Sequence, residues 1–252
     1  MSGHSKWASI KHKKGAADAK RGKVFTKLIR EITVAARNGG GNSDTNPRLR
    51  LAIQRAKDSN MPAENIDRAL KKGTGELEGV NYEEITYEGY GPGGIAIMVE
   101  ALTDNKNRTT SEVRNIFSKK GGNMAGQGSV NCIFEKKGYI VINKDAITED
   151  KLMSIVLEAG ADDMKTEEST YAVTASVSDY ENVKNALGEK KVAVEAAEIT
   201  SVPKNTIRIT GENARKVLAL VSELEDHDDI QNVYANFDIP DEELKGLEGS
   251  QG

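Results

Sequence analysis

Residues 138–200 read GYIVINKDAITEDKLMSIVLEAGADDMKTEESTYAVTASVSDYENVKNALGEKKVAVEAAEIT, and the order of patterns within them decides the fold. Tyr139–Ile142, Asp162–Thr166, Tyr171–Val177 and Val192–Ile199 alternate or run apolar as strands do. Glu149–Ala159 and Tyr180–Leu187 have helical spacing. The succession β-α-β-β-α-β is that of a ferredoxin-like split βαβ unit. Residues 137–203 are therefore expected to form one such domain.

On the C-terminal side, Thr206–Ile209, a helix over Asn213–Glu223 and Ile230–Tyr234 supply another β-α-β. On the N-terminal side, Ile85–Glu88 and Ile95–Leu102 read as strands, Arg108–Lys119 as a helix and Val130–Phe134 as a further strand. Residues 76–136 and 204–240 are expected to join into a discontinuous α/β lobe of similar order, interrupted by the ferredoxin-like domain. The connection Gly89-Tyr-Gly-Pro-Gly-Gly94 resembles GxGxxG, but it precedes a strand and does not open a helix. That excludes a dinucleotide site and predicts a hairpin whose glycines permit positive φ or a close approach to a partner.

Residues 24–75 are expected to form a three-helix domain. Val24, Leu28, Ile29, Ile32, Ala35 and Ala36 make one apolar stripe that ends at Asn38-Gly39-Gly40. Asn46-Pro47 opens a second helix as cap and first-turn proline, and Met61-Pro62 a third, with Gly73 expected to stop it. Residues 1–23 have too few apolar positions to pack and read as a flexible or loosely helical basic arm. Residues 241–252 read as a flexible acidic tail. The fold class is thus α+β and multidomain: a basic N-terminal arm and three-helix domain, then two α/β lobes, one ferredoxin-like and inserted in the other.

Charge points to function. The net charge of −4 conceals a split: residues 1–72 carry 17 Lys/Arg and 6 Asp/Glu, and the remainder 18 and 33. A basic end on an acidic body is the mark of a polyanion-seeking region. Lys6, Trp7, Lys11, His12, Lys13, Lys14, Lys20, Arg21, Lys23, Lys27, Arg30, Arg48 and Arg50 are the candidate nucleic-acid contacts. The cations would neutralise phosphates, and Trp7 would stack on a base. In the third helix Asn65 and Arg68 offer little for base reading.

No catalytic constellation is visible. His4 and His12 lie in the arm, and His227 lies in Glu225-Asp-His-Asp-Asp229, a run expected to end a helix and turn into a strand, not to hold a metal. Cys132, alone in the chain, is expected inside an apolar strand as a small core residue. One cysteine, no long apolar run and no signal peptide fit a cytoplasmic protein that does not engage a membrane. No heptad or dimer strip is evident, so a monomer without cofactor or metal is expected.

Several of these segments closely resemble the YebC family, which also includes the PmpR-type regulators and a mitochondrial translational activator. The matching motifs include Gly3-His-Ser-Lys-Trp7, Asp18-Ala-Lys-Arg-Gly-Lys23, Phe25-Thr-Lys-Leu-Ile-Arg-Glu31, Asn46-Pro-Arg-Leu-Arg50 and Lys72-Gly-Thr-Gly75. Others are Tyr87-Glu-Gly-Tyr-Gly-Pro-Gly-Gly94, Leu102-Thr-Asp-Asn105, Asn107-Arg-Thr109 and Gly121-Gly-Asn123. Gly15 and Ala63 depart from the alanine and lysine common in the family. The resemblance implies a three-domain, non-enzymatic regulator of gene expression. The favoured expectation is a ribosome-associated translation factor that binds rRNA or tRNA and assists difficult sequences such as proline runs. The alternative is a DNA-binding transcriptional regulator. On the first expectation the glycine hairpin (Tyr87, Gly89, Tyr90, Gly91, Pro92, Gly93 and Gly94) and the segment with Asn105, Asn107 and Arg108 would approach the ribosome or tRNA.

Overall fold

The structure, a computed structural model, describes residues 18–167, 169–240 and 243, with residues 18–21 described through their backbone alone. It divides into two compact units. The described part of the first runs from 18 to 131, resumes at Ile209–Ala235 and includes residues 239, 240 and 243. The second is Cys132–Arg208 with Asn236–Asp238. The second is thus an insertion, entered and left a few residues outside the expected 137–203.

The first unit opens with helices α1 (Asp18–Gly39), α2 (Pro47–Asp58) and α3 (Ala63–Thr74). Helix α1 begins at Asp18, so residues 18–23 of the expected arm are helical and Gly22 does not break the helix. A glycine in a helix costs only about 1 kcal/mol against alanine, and tertiary packing readily offsets that. Residues 1–17 of that arm lie outside the described residues. Ile32 to Ala36 are all buried, so α1 is enclosed on every side at that level. Asn46 caps α2 as expected, its side chain accepting from the Leu49 amide, while its own amide group donates to the Ala35 and Gly40 carbonyls. The bundle core is Ile32, Ala35, Ala36, Leu49, Ala52, Ala56, Met61 and Ala69.

Gly73 does not stop α3. It lies within the helix, where a Cβ would fall 2.5 Å from the Thr33 carbonyl oxygen and 2.6 Å from Ala36 Cβ. Its role is close approach to α1. The stop is Gly75, in the left-handed conformation at φ 84°.

Strands β1 (Glu83–Gly91) and β2 (Ile95–Thr103) form an antiparallel hairpin, in register from Glu83↔Thr103 to Gly91↔Ile95. Its turn is only Pro92–Gly94, with Gly93 and Gly94 at positive φ. Helix α4 (Lys106–Lys119), capped by Asn105, leads to the short β3 (Asn123–Ala125). The expected strand Val130–Phe134 is instead a 3-10 turn over Asn131–Ile133, and Cys132 is exposed, not a core residue.

In the second unit, β4 (Phe134–Asn143), α5 (Glu149–Glu158), β5 (Ala161–Thr166), β6 (Thr170–Ala175), α6 (Tyr180–Glu189) and β7 (Val194–Pro203) follow in the expected order. The sheet runs β5-β6-β4-β7, antiparallel throughout, which is the ferredoxin-like arrangement. Its core is built on Ile140, Ile142, Leu152, Val156, Val173, Val183 and Leu187. The chain then forms β8 (Ile207–Arg208), α7 (Gly211–Asp226), β9 (Ile230–Ala235) and β10 (Phe237–Asp238).

The first unit's sheet is β3-β1-β2-β9. It does not repeat the ferredoxin-like order, because β8 stays in the inserted unit and pairs in parallel with β10. Only β9 returns to β2. A two-residue strand with both residues exposed presents no apolar face that would draw it into the first sheet. No helix among the described residues is long and apolar enough to cross a membrane.

Candidate nucleic-acid interface and the Asp229 network

The expected cations are not equivalent. Lys6, Trp7, Lys11, His12, Lys13 and Lys14 lie outside the described residues, and Lys20 and Arg21 sit on α1 without described side chains. Lys23, Lys27 and Arg30 follow one stripe of α1 at i, i+4 and i+7, and all three reach the C-terminal end of α7. Lys23 Nζ donates to the Asp226 carbonyl at 3.1 Å and Lys27 Nζ to the Glu225 carbonyl at 2.6 Å. Arg30 Nη1 donates to the Asp228 carbonyl and to Asp229 Oδ1, both at 2.6 Å, and its guanidinium lies 5.5 Å from the Tyr82 ring centre.

Arg48 bridges Glu31 at 2.7 Å and Glu84 at 2.8 Å, and these carboxylates hold it well above the ordinary arginine pKa against the opposing effect of burial. Arg50 donates to the Ser43 and Asp44 carbonyls. Lys57 and Arg68 are exposed and make no ion pair among the described residues. Residue type alone did not separate Arg30 and Arg48, tied internally, from these outward cations.

Asp229 is the feature that sequence reading missed. It is 2% exposed, and four side-chain donors surround its carboxylate. Oδ1 takes Arg30, while Oδ2 takes Thr109 at 2.6 Å, Arg108 Nη2 at 2.7 Å and Thr103 at 3.1 Å. Burial alone would push this carboxyl up. Thr109, Arg108 and Arg30 outweigh it and hold the carboxyl at about 2, below its ordinary 3.8. The reciprocal effect raises Arg108.

His227 Nδ1 accepts from the Asp229 amide at 3.1 Å, which leaves the Nε2 proton directed at Glu112 Oε2, 2.9 Å away. Glu112, His227 and Asp229 are close enough to suggest a metal site. Yet both Asp229 oxygens and His227 Nδ1 are already engaged, and two arginines face Asp229. This chemistry suits a structural ion-pair network, not a cation cage.

The second group of candidates does not assemble. Asn105, Asn107 and Arg108 follow the end of β2 at Thr103, whereas Gly89–Gly94 lie at the hairpin end. The eight residue steps of β2 separate them by about 27 Å, so they lie at opposite ends of the hairpin. Tyr87 is buried and its hydroxyl meets Thr110 at 3.1 Å. Gly89 and Gly91 serve packing: a Cβ on Gly89 would meet the Phe117 ring at 2.7 Å, and one on Gly91 would meet Leu220 at 3.4 Å. They let α4 and α7 close on β1. Of this group Tyr90, Gly93 and Gly94 are exposed at the hairpin end, with Pro92 half-buried. Glu88, between the packed positions, is buried and accepts the amides of Gly128, Val130 and Asn131 at 2.6–2.9 Å.

These elements define a multidomain α+β protein with a cation-bearing helical region and an inserted ferredoxin-like unit. The one described histidine has both ring nitrogens engaged. The profile of the TACO1/YebC protein N-terminal domain matches residues 5–76, and that of the TACO1/YebC second and third domain matches residues 82–237. The chain belongs to the TACO1/YebC family. A relative from Syntrophobacter fumaroxidans is 60% identical, over 97% of this chain and 98% of its own length. One from Dictyoglomus turgidum is 58% identical, over 98% and 100%. Both are named probable transcriptional regulatory protein. The crystal structure of a conserved hypothetical protein from Aquifex aeolicus has a TM-score of 0.78 at 51% identity, covering 89% of this chain and 93% of that one.

Proposed function

We propose that this protein is a non-enzymatic, nucleic-acid-binding regulator of gene expression, and more finely a monomeric translation factor that contacts rRNA or tRNA on the ribosome. The observation that carries the reading is the charge split, +11 over residues 1–72 against −15 over the rest. It is joined to outward cations such as Lys57 and Arg68 on α2 and α3. Polyanion affinity follows from that distribution. RNA is favoured over a DNA operator because α3, the helix best placed as a groove reader, offers Arg68 exposed but Asn65 half-buried. Specific major-groove reading needs several side chains reaching base edges. Assistance with sequences that stall, such as proline runs, rests on the family resemblance. The names of the relatives favour a second reading, transcriptional regulation through the same surface.

Sedimentation of a lysate with RNase or DNase treatment separates the two. Co-migration with ribosomal particles that survives DNase is expected. Preference for promoter DNA over random DNA, with the protein at the top of the gradient, would favour the second. Charge reversal at Lys11, Lys13, Lys14, Lys20, Arg21 and Lys23 is expected to abolish binding, with a small loss of thermal stability from the lost Lys23 bond to the Asp226 carbonyl. Unchanged binding in a filter assay would overturn the basic-region interface.

A further inference from the structure

Helix α7 ends against the usual electrostatic rule. A helix C-terminus carries partial negative charge and favours cations, yet the last turn of α7 holds Glu223, Glu225 and Asp226 and no basic residue, followed by Asp228 and Asp229. The missing cations come from α1. Lys23, Lys27 and Arg30 supply them from one stripe, bonded to the Asp226, Glu225 and Asp228 carbonyls. Asp226 and Asp228 themselves are exposed, and no cation is bonded to their carboxylates among the described residues.

We propose that the acidic end of α7, Glu225–Asp229, competes in cis with nucleic acid for Lys23 and Lys27 of α1, so that seating of this run weakens phosphate binding there and phosphate binding loosens the seating. The proposal rests on the reading that the basic region binds nucleic acid. A phosphate approaching Lys23 or Lys27 competes with a carbonyl at the negative end of a helix for the same ammonium, and enters the field of the exposed Asp226 and Asp228. Each such repulsion is strongest at contact and fades beyond about 10 Å at moderate salt. Arg30 differs from the other two. Clamped to buried Asp229, with only 14% of its side chain exposed, it keeps α1 and α7 in place while the outer two lysines exchange partners.

The test uses the full chain and fluorescence anisotropy with a labelled single-stranded RNA and a labelled DNA duplex. Asp226→Asn with Asp228→Asn removes two exposed charges and, among the described residues, no side-chain hydrogen bond. Binding is expected to tighten about threefold or more at low salt, and the gain to vanish near 1 M salt, where screening acts within about 3 Å. The control, Glu158→Gln with Asp163→Asn, makes the same change of net charge in the inserted unit and is expected to leave affinity near the wild-type value. In the wild type, RNA binding is expected to speed hydrogen exchange of the 227–230 amides. Equal affinities for both double variants, or unchanged exchange on binding, would overturn the competition while leaving nucleic-acid binding intact. Failure of the wild type to bind either probe would instead overturn the underlying reading.

Discussion

Asp229→Asn isolates what the buried network contributes. The substitution preserves shape, removes the charge facing Arg30 and Arg108, and turns an NH2 toward groups that are already donors. Two routes give the magnitude. The carboxyl lies at about 2 against an ordinary 3.8, and a displacement of that size corresponds to about 2 kcal/mol of folding free energy. Removing one partner of a buried pair costs about 3–5 kcal/mol. Arg108, with 43% of its side chain exposed and Asp104 at 2.8 Å, can turn to water and its neighbour, so the lower figures apply. The variant is therefore expected to lose about 2–3 kcal/mol at pH 7, read as a lower urea midpoint with hydrogen exchange following α1, α4 and β9.

The pH dependence has a fixed sign. The folded-state pKa is depressed, so the stabilisation is complete above the unfolded-state value near 3.8 and is lost as pH falls toward about 2. Wild type and variant should converge over that window. In an Arg30→Met background the cost of Asp229→Asn should shrink, because the two residues act through one contact. A loss under about 0.5 kcal/mol at pH 7, or a gap that widens on acidification, would refute the reasoning.

Two further substitutions address packing. Gly73→Ala brings a methyl 2.5 Å from the Thr33 carbonyl oxygen; the forced separation of α3 from α1 should outweigh alanine's helix preference and destabilise the fold by about 1–3 kcal/mol, read as a lower melting temperature, so a more stable variant would contradict the close-approach role. Glu88→Gln replaces a carboxylate whose pKa is lowered because the Val130, Gly128 and Asn131 amides outweigh burial. It should cost about 1–3 kcal/mol at neutral pH, with faster exchange at amides 128–131, and the difference from wild type should fade as pH drops below the ordinary carboxyl value of 4.5.

How much was legible follows from the range of the forces involved. The β-α-β-β-α-β succession over 138–200 and the Asn46-Pro47 cap are local patterns, and both are in the structure. Misreadings arose where a glycine or a short strand takes its meaning from a distant neighbour. Gly73 looks like a stop until Thr33 and Ala36 are seen against it. Gly89 and Gly91 look like hairpin glycines suited to positive φ or a partner's approach until Phe117 and Leu220 occupy the space they leave. Cys132 sits among apolar residues in sequence, but a 3-10 turn exposes it. A strand as short as Ile207–Arg208 carries no information about which sheet edge it will join.

Charge is the property for which sequence and structure diverge most, and the reason is geometric. A count of Lys and Arg measures the field far from the molecule, which is what first attracts a polyanion. It does not say which cations are bonded within the chain. Of the candidates on described side chains, Arg30 and Arg48 lie in ion pairs and Lys23 and Lys27 on carbonyls of α7. One local signal did point to this arrangement: an acidic run at the C-terminus of a predicted helix is unfavourable by itself, so cations from elsewhere must compensate it. Read that way, Glu225–Asp229 marks a docking point for the basic helix within the same chain. The outward cations on α2 and α3, together with the arm, are then the ones left to meet an incoming phosphate first.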